Sequence, residues 1–102
     1  MKKILIIEDD TALRENTAEL LELYNYEVVT APNGRVGVDL AFSETPDIIV
    51  CDIMMPELDG YGVLEQLSQK EETKHIPFIF LSARTAHKEI RQGMNLLSLI
   101  HI

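Results

Sequence analysis

An apolar run that ends in a single carboxylate limits this chain more than any other feature. Ile48, Ile49, Val50 and Cys51 follow one another without a polar residue, Asp52 comes next, and Pro56 and Asp59-Gly60 then break the chain. A run that does not alternate forms a strand buried on both faces, as in a parallel sheet covered on two sides. Proline and the Asp-Gly pair force a turn directly afterwards. Asp52 is therefore expected at the carboxyl end of a central strand, on the rim where open α/β sheets bind ligands. A charge there is costly without a partner.

Other stretches repeat the pattern. Ile4-Leu5-Ile6-Ile7 ends in Glu8-Asp9-Asp10, and Pro77-Phe78-Ile79-Phe80-Leu81 ends in Ser82. Glu27 to Ala31 is a further short strand. Between them lie helical periodicities. From Thr11, read as an N-cap, Leu13, Thr17, Leu20, Leu21 and Tyr24 recur on one face, with Arg14, Glu15, Glu19 and Glu22 outward. Arg35 to Phe42 is a second helix, weakened by Gly37, with Val36, Leu40 and Ala41 inward. Gly60 to Ser68 is a third (Val63, Leu64 and Leu67 inward), and Thr85 to Met94 a mostly polar fourth. Strands alternating with helices give βαβ units with right-handed crossovers. The expected fold is α/β, a doubly wound parallel sheet with the flavodoxin-like strand order 2-1-3-4-5. In that order the first and third strands are neighbours, which gathers Glu8, Asp9 and Asp52 in one crevice.

The charge balance narrows the partners. Nine Lys and Arg face seventeen Asp and Glu, a formal net charge of −8 over 102 residues, so nucleic acid and anionic membrane are disfavoured as direct contacts. The length suits one domain. Cys51 is the single cysteine, which excludes an internal disulfide and suits a reducing compartment. No apolar run reaches membrane-spanning length, and the Met1-Lys2-Lys3 start with its short apolar run is too brief for a signal peptide. A cytoplasmic location is expected.

Three carboxylates in one crevice repel each other by about 4 kcal/mol per pair at ~4 Å and an effective dielectric of ~20. Protonation of some of them or a cation among them resolves this, and a hard all-oxygen site selects Mg²⁺ or Mn²⁺. Mg²⁺ held by few carboxylates keeps positions for phosphate oxygens, so the crevice suits phosphoryl transfer to a carboxylate nucleophile. Ser82, at the next strand's end, can donate to a phosphoryl oxygen. Asp10 reads as a helix-end charge and Asp59-Gly60 as turn chemistry. His75, His87 and His101 lack ligand partners at metal-site spacing.

These motifs, Ile4 to Asp10, Asp52 to Gly60 and Pro77 to Ala83, resemble in order and spacing the receiver domain of two-component response regulators, including the chemotaxis regulators. The resemblance runs from Met1 to about Leu96. It implies that Asp52 is the phosphoacceptor, with Glu8, Asp9, Asp52 and the backbone carbonyl of Met54 around Mg²⁺. Of the acidic pair it makes Asp9 the direct ligand and lets Glu8 act through water. Ser82 matches the hydroxyl that swings to the phosphoryl group, and Ala83 the small residue that leaves room for it. The implied donor is a histidine kinase or phosphotransfer protein. The implied role is signalling rather than enzymatic turnover, although such domains catalyse their own phosphorylation and dephosphorylation.

The ending departs from the family. Residues 1–96 fit a receiver domain, whereas Leu97 to Ile102 form an apolar tail where a fifth strand and helix are expected, and no lysine follows Lys88. The phosphate-binding lysine therefore has no counterpart. If roughly 400 Å² of sheet is left bare by a missing helix, the lost burial is about 10 kcal/mol at ~25 cal/mol/Å². The expectation is a homo-oligomer formed through that face. The alternative function is a receiver-fold interaction module that no longer switches. A flavodoxin-like cofactor binder is disfavoured, because Glu8-Asp9-Asp10 would repel a phosphate.

Overall fold

The computed structural model describes residues 1–81 and the backbone of Ile100–His101. In chain order the elements are β1 (Lys3–Ile7), α1 (Thr11–Leu23), β2 (Glu27–Ala31), α2 (Gly34–Glu44), β3 (Ile48–Asp52), α3 (Gly60–Ser68), β4 (Phe78–Leu81) and β5 (Ile100–His101). The sheet order is β2-β1-β3-β4-β5, as the sequence leads one to expect. β1 to β4 are parallel, while β5 pairs with β4 in the antiparallel sense, Phe80 opposite His101 and Leu81 opposite Ile100. The fifth position is thus taken by residues of the divergent tail. The expected fourth helix, Thr85 to Met94, lies outside the described residues.

Strand parity builds two cores. Leu5, Ile7, Ile49 and Cys51 point to one face, where they join Ala41, Val63, Leu67 and Ile76. Ile4, Ile6 and Val50 point to the other, against Leu13 and Leu21 of α1 and Leu81 of β4. β1 and β3 are buried on both faces, which is why their sequences do not alternate.

Some local readings change. Asp10, not Thr11, caps α1: its Oδ1 accepts from the Leu13 N–H at 2.9 Å, and Thr11 is the first helical residue. An aspartate in extended conformation reaches that N–H and also favours the helix dipole. Tyr24, placed inward by periodicity, is 63% exposed because α1 ends at Leu23 and Tyr24 leaves the helical register. Gly37 is a packing device rather than a weakness, since a Cβ there would collide with the Ile7 side chain and hold α2 off the sheet.

Candidate functional site

β1 and β3 run side by side, with Ile6 opposite Val50 and Ile7 opposite Cys51. Continuing that register by one residue sets Glu8 beside Asp52. Both share the parity of Ile6 and Val50, so both side chains belong to the α1 face of the rim. Glu8 and Asp52 are each 1% exposed, and Asp9 is exposed. One carboxylate oxygen from each of the three lies within 4.8 Å of the others. The crevice expected from the sequence therefore exists, and Glu8, Asp9 and Asp52 meet in it.

The electrostatics follow from burial. Glu8 is pushed up to about 9, chiefly by loss of water, with further upward pressure from Asp9 and Asp52 and partial relief from the Asp10 N–H that its Oε2 accepts at 3.0 Å. Burial also pushes Asp52 up to about 6, opposed by contacts with Glu8 and with the Met54 N–H, which donates to Oδ1 at 3.1 Å. Glu8 Oε1 and Asp52 Oδ2 are left buried without a hydrogen-bond partner. Buried carboxylate oxygens without donors are rare in folded proteins. They suit a hard divalent cation, which asks for oxygen ligands and needs no donor. The donor set fits the magnesium expected from the sequence.

Several loops hold this arrangement. Gly60 N–H donates to the Ile53 carbonyl at 2.9 Å, and a Cβ on Gly60 would come within 2.5 Å of the Asp52 carbonyl oxygen. Asp59 caps α3 by accepting from the Gly62 N–H at 2.8 Å. Asp59-Gly60 is thus turn chemistry, and the glycine also gives the Asp52 backbone its room. Met54 is on the same loop, with its side chain 55% exposed. Ser82 and Ala83 lie outside the described residues, but β4 ends at Leu81, the register partner of Asp52.

One participant escapes the sequence reading. Arg14, assigned to the outward face of α1, is half-buried and donates from Nη1 to the Glu8 carbonyl at 2.8 Å. Periodicity placed its Cα correctly but could not show that a long side chain at the helix start turns back over the preceding loop. An arginine one turn inside a helix that begins at an acidic rim was the available signal.

The chain matches the response regulator receiver domain family over residues 4–97. It is 40% identical over 82 residues to the "Probable transcriptional regulator ycf27" of Galdieria sulphuraria, covering 80% of this chain and 31% of that protein. Thus the chain spans about a third of the length of such curated relatives. Among solved structures it resembles the N-terminal domain of a response regulator receiver protein from Methanoculleus marisnigri, with a TM-score of 0.79, 29% identity and coverage of 81% of this chain and 68% of that one. It also resembles the receiver domain of a sensor histidine kinase from Pseudomonas aeruginosa with a magnesium ion coordinated in its active-site cleft. There the TM-score is 0.77, the identity 28%, and the coverage 96% of this chain and 78% of that one.

Proposed function

The chain belongs to the response regulator receiver domain family, and on that premise we propose that Asp52 accepts a phosphoryl group from a histidine kinase or phosphotransfer protein. The observation that carries this reading is the pairing of buried Glu8 and Asp52, each with one unpartnered oxygen, beside exposed Asp9. Asp52 Oδ1 accepts from the Met54 N–H, and Oδ2 has no hydrogen-bond partner. A P–O bond forms to an oxygen of the Asp52 carboxylate as the P–N bond of the donor's phosphohistidine breaks, and the departing imidazole nitrogen recovers its lone pair. Glu8, Asp9, Asp52 and the Met54 carbonyl would hold Mg²⁺ or Mn²⁺, which when bound offsets the charge of carboxylates and phosphoryl oxygens. Ser82 donates to a phosphoryl oxygen, and Ala83 leaves space for it. The domain, taken as residues 1–96, catalyses its own modification rather than turning over a substrate.

Incubation with Mg²⁺ and acetyl phosphate, read by intact mass, tests this. One phosphoryl group is expected on the intact chain and none on Asp52→Asn. Beryllofluoride binding to the wild type alone is a second expected result. Failure of the wild type to take up either overturns the reading and leaves the interaction module that no longer switches.

The same reading places the domain in the cytoplasm; among the described residues no helix is long and apolar enough to cross a membrane. Some relatives are named as transcriptional regulators, but with a net charge of −8 we assign no nucleic-acid contact to this chain itself. Self-association is assigned to the groove of about 610 Å³ on the α1 face, which Leu20, Leu21, Ile48, Ile79 and Leu81 line. A monomer in gel filtration at micromolar concentration overturns that assignment.

A further inference from the structure

We propose that Arg14 is a positioning residue for the cation site: by holding the Glu8 carbonyl, its guanidinium fixes the peptide that leads into Asp9. The inference rests on the metal-site reading above and adds a determinant of affinity to it. β1 ends at Ile7, so the Glu8 carbonyl lies beyond the last strand residue, and Arg14 Nη1 meets it at 2.8 Å. The Arg14 N–H in turn donates to the Asp10 carbonyl at 2.9 Å. Asp10 N–H donates to Glu8 Oε2 at 3.0 Å, and Asp10 Oδ1 accepts from the Leu13 N–H at 2.9 Å. One arginine therefore ties both ends of the Glu8–Asp10 segment to the first turn of α1.

The consequence falls on Asp9. Its side chain is exposed, and neither strand nor helix includes it. What fixes its direction is the orientation of the peptide planes on either side. The Glu8 carbonyl is part of the plane that joins Glu8 to Asp9, so anchoring that oxygen restricts the Asp9 φ rotation and the approach of its carboxylate to Glu8 and Asp52. Groups that orient ligands in this way typically carry about 10- to 100-fold in metal affinity. A planar guanidinium is suited to the task, because less rotamer freedom is lost per hydrogen bond than with the ammonium of lysine. Arg14 is also the only Lys or Arg between Thr11 and Leu23.

The test is a calorimetric Mg²⁺ titration of the full chain, wild type against Arg14→Ala, Arg14→Lys and Asn16→Ala, with phosphorylation by acetyl phosphate measured across Mg²⁺ concentration. Arg14→Ala is expected to raise the Mg²⁺ Kd about 10-fold. Arg14→Lys, which keeps the charge and one donor, should raise it about 3-fold, and Asn16→Ala, at an exposed position of the same turn, should leave it unchanged. Half-saturating Mg²⁺ for phosphorylation should rise in step while the rate at saturating Mg²⁺ stays within about 2-fold of wild type. A split of this kind is not produced by general loss of fold. Wild-type Mg²⁺ affinity in both arginine variants overturns the proposal, as does an equal loss in Asn16→Ala. If circular dichroism finds Arg14→Ala unfolded, Arg14→Lys decides by the same criterion. No Mg²⁺ binding by the wild type overturns this proposal together with the metal-site reading.

Discussion

Glu8 and Asp52 stand at the ends of neighbouring parallel strands with one buried oxygen each, Oε1 and Oδ2, that no donor reaches. Two acceptors cannot satisfy one another unless a proton or a cation comes between them. Burial raises both carboxyls above their ordinary range, Glu8 to about 9 and Asp52 to about 6. The metal-free rim is therefore a proton-binding site, and the same geometry suits a divalent ion.

That relationship sets a pH dependence. Both acids hold protons more tightly when folded than at their ordinary values of 4.5 and 3.8. Between those values and about 9 for Glu8 or about 6 for Asp52 the folded chain binds more protons, so stability falls as pH rises through that window. In EDTA the melting temperature is expected to drop by at least ~4 °C from pH 5 to pH 8, about 1 kcal/mol. Glu8→Gln should flatten this slope, and Mg²⁺ at pH 8 should raise the wild-type melting temperature by mass action. A wild-type melting temperature that climbs across the window in EDTA contradicts the assignment.

Gly60 is expected to be intolerant of the smallest side chain. A Cβ would meet the Asp52 carbonyl oxygen and the Ile53 Cα at 2.5 and 2.9 Å, and both are backbone atoms. Gly60→Ala should cost about 2 kcal/mol in urea unfolding. It should also weaken Mg²⁺ binding, because the strand end that carries Asp52 must shift. An alanine variant with unchanged midpoint and affinity would show that the loop has slack.

Thr45 offers a gain in stability. It ends α2 with φ 43° and ψ 61°, a left-handed conformation that a β-branched residue adopts at a cost, and Pro46 follows it. Thr45→Gly should stabilise the chain by about 0.5–1 kcal/mol in equilibrium urea unfolding, the relief exceeding the added backbone entropy. A lower midpoint would mean that the threonine side chain supplies more than its backbone geometry costs.

Cys51 is expected to be chemically silent. It is fully buried, its Sγ–H donates to the Asp52 carbonyl at 3.3 Å, and burial pushes the thiol well above its ordinary value, helped by the nearby carboxylates. Ellman's reagent should release no thiolate colour from the native chain within an hour, and one equivalent after denaturation. Rapid native labelling would place the β3 end in frequent local opening.

Much of the site was legible because strands buried on both faces announce themselves. Ile4 to Ile7 and Ile48 to Cys51 are uninterrupted runs, and each ends in acid, which puts the carboxylates at strand ends on one rim of a parallel sheet. The Asp10 cap and the outward turn of Tyr24 were less legible, since helix boundaries depend on which N–H a side chain reaches. Arg14 was missed because its function comes from a flexible stem folding back over a loop.

Sequence alone determined which segments are strands buried on both faces and which acidic residues end them, because hydrophobic run length is a property of the chain itself. Tertiary structure decided the strand order, which acids lose their water, which oxygens lack donors, and that Arg14 anchors the loop between them. It also decided that Ile100–His101 joins the sheet edge in the antiparallel sense. Such facts arise from desolvation and from distances between residues far apart in the chain, and no local pattern of residues encodes either.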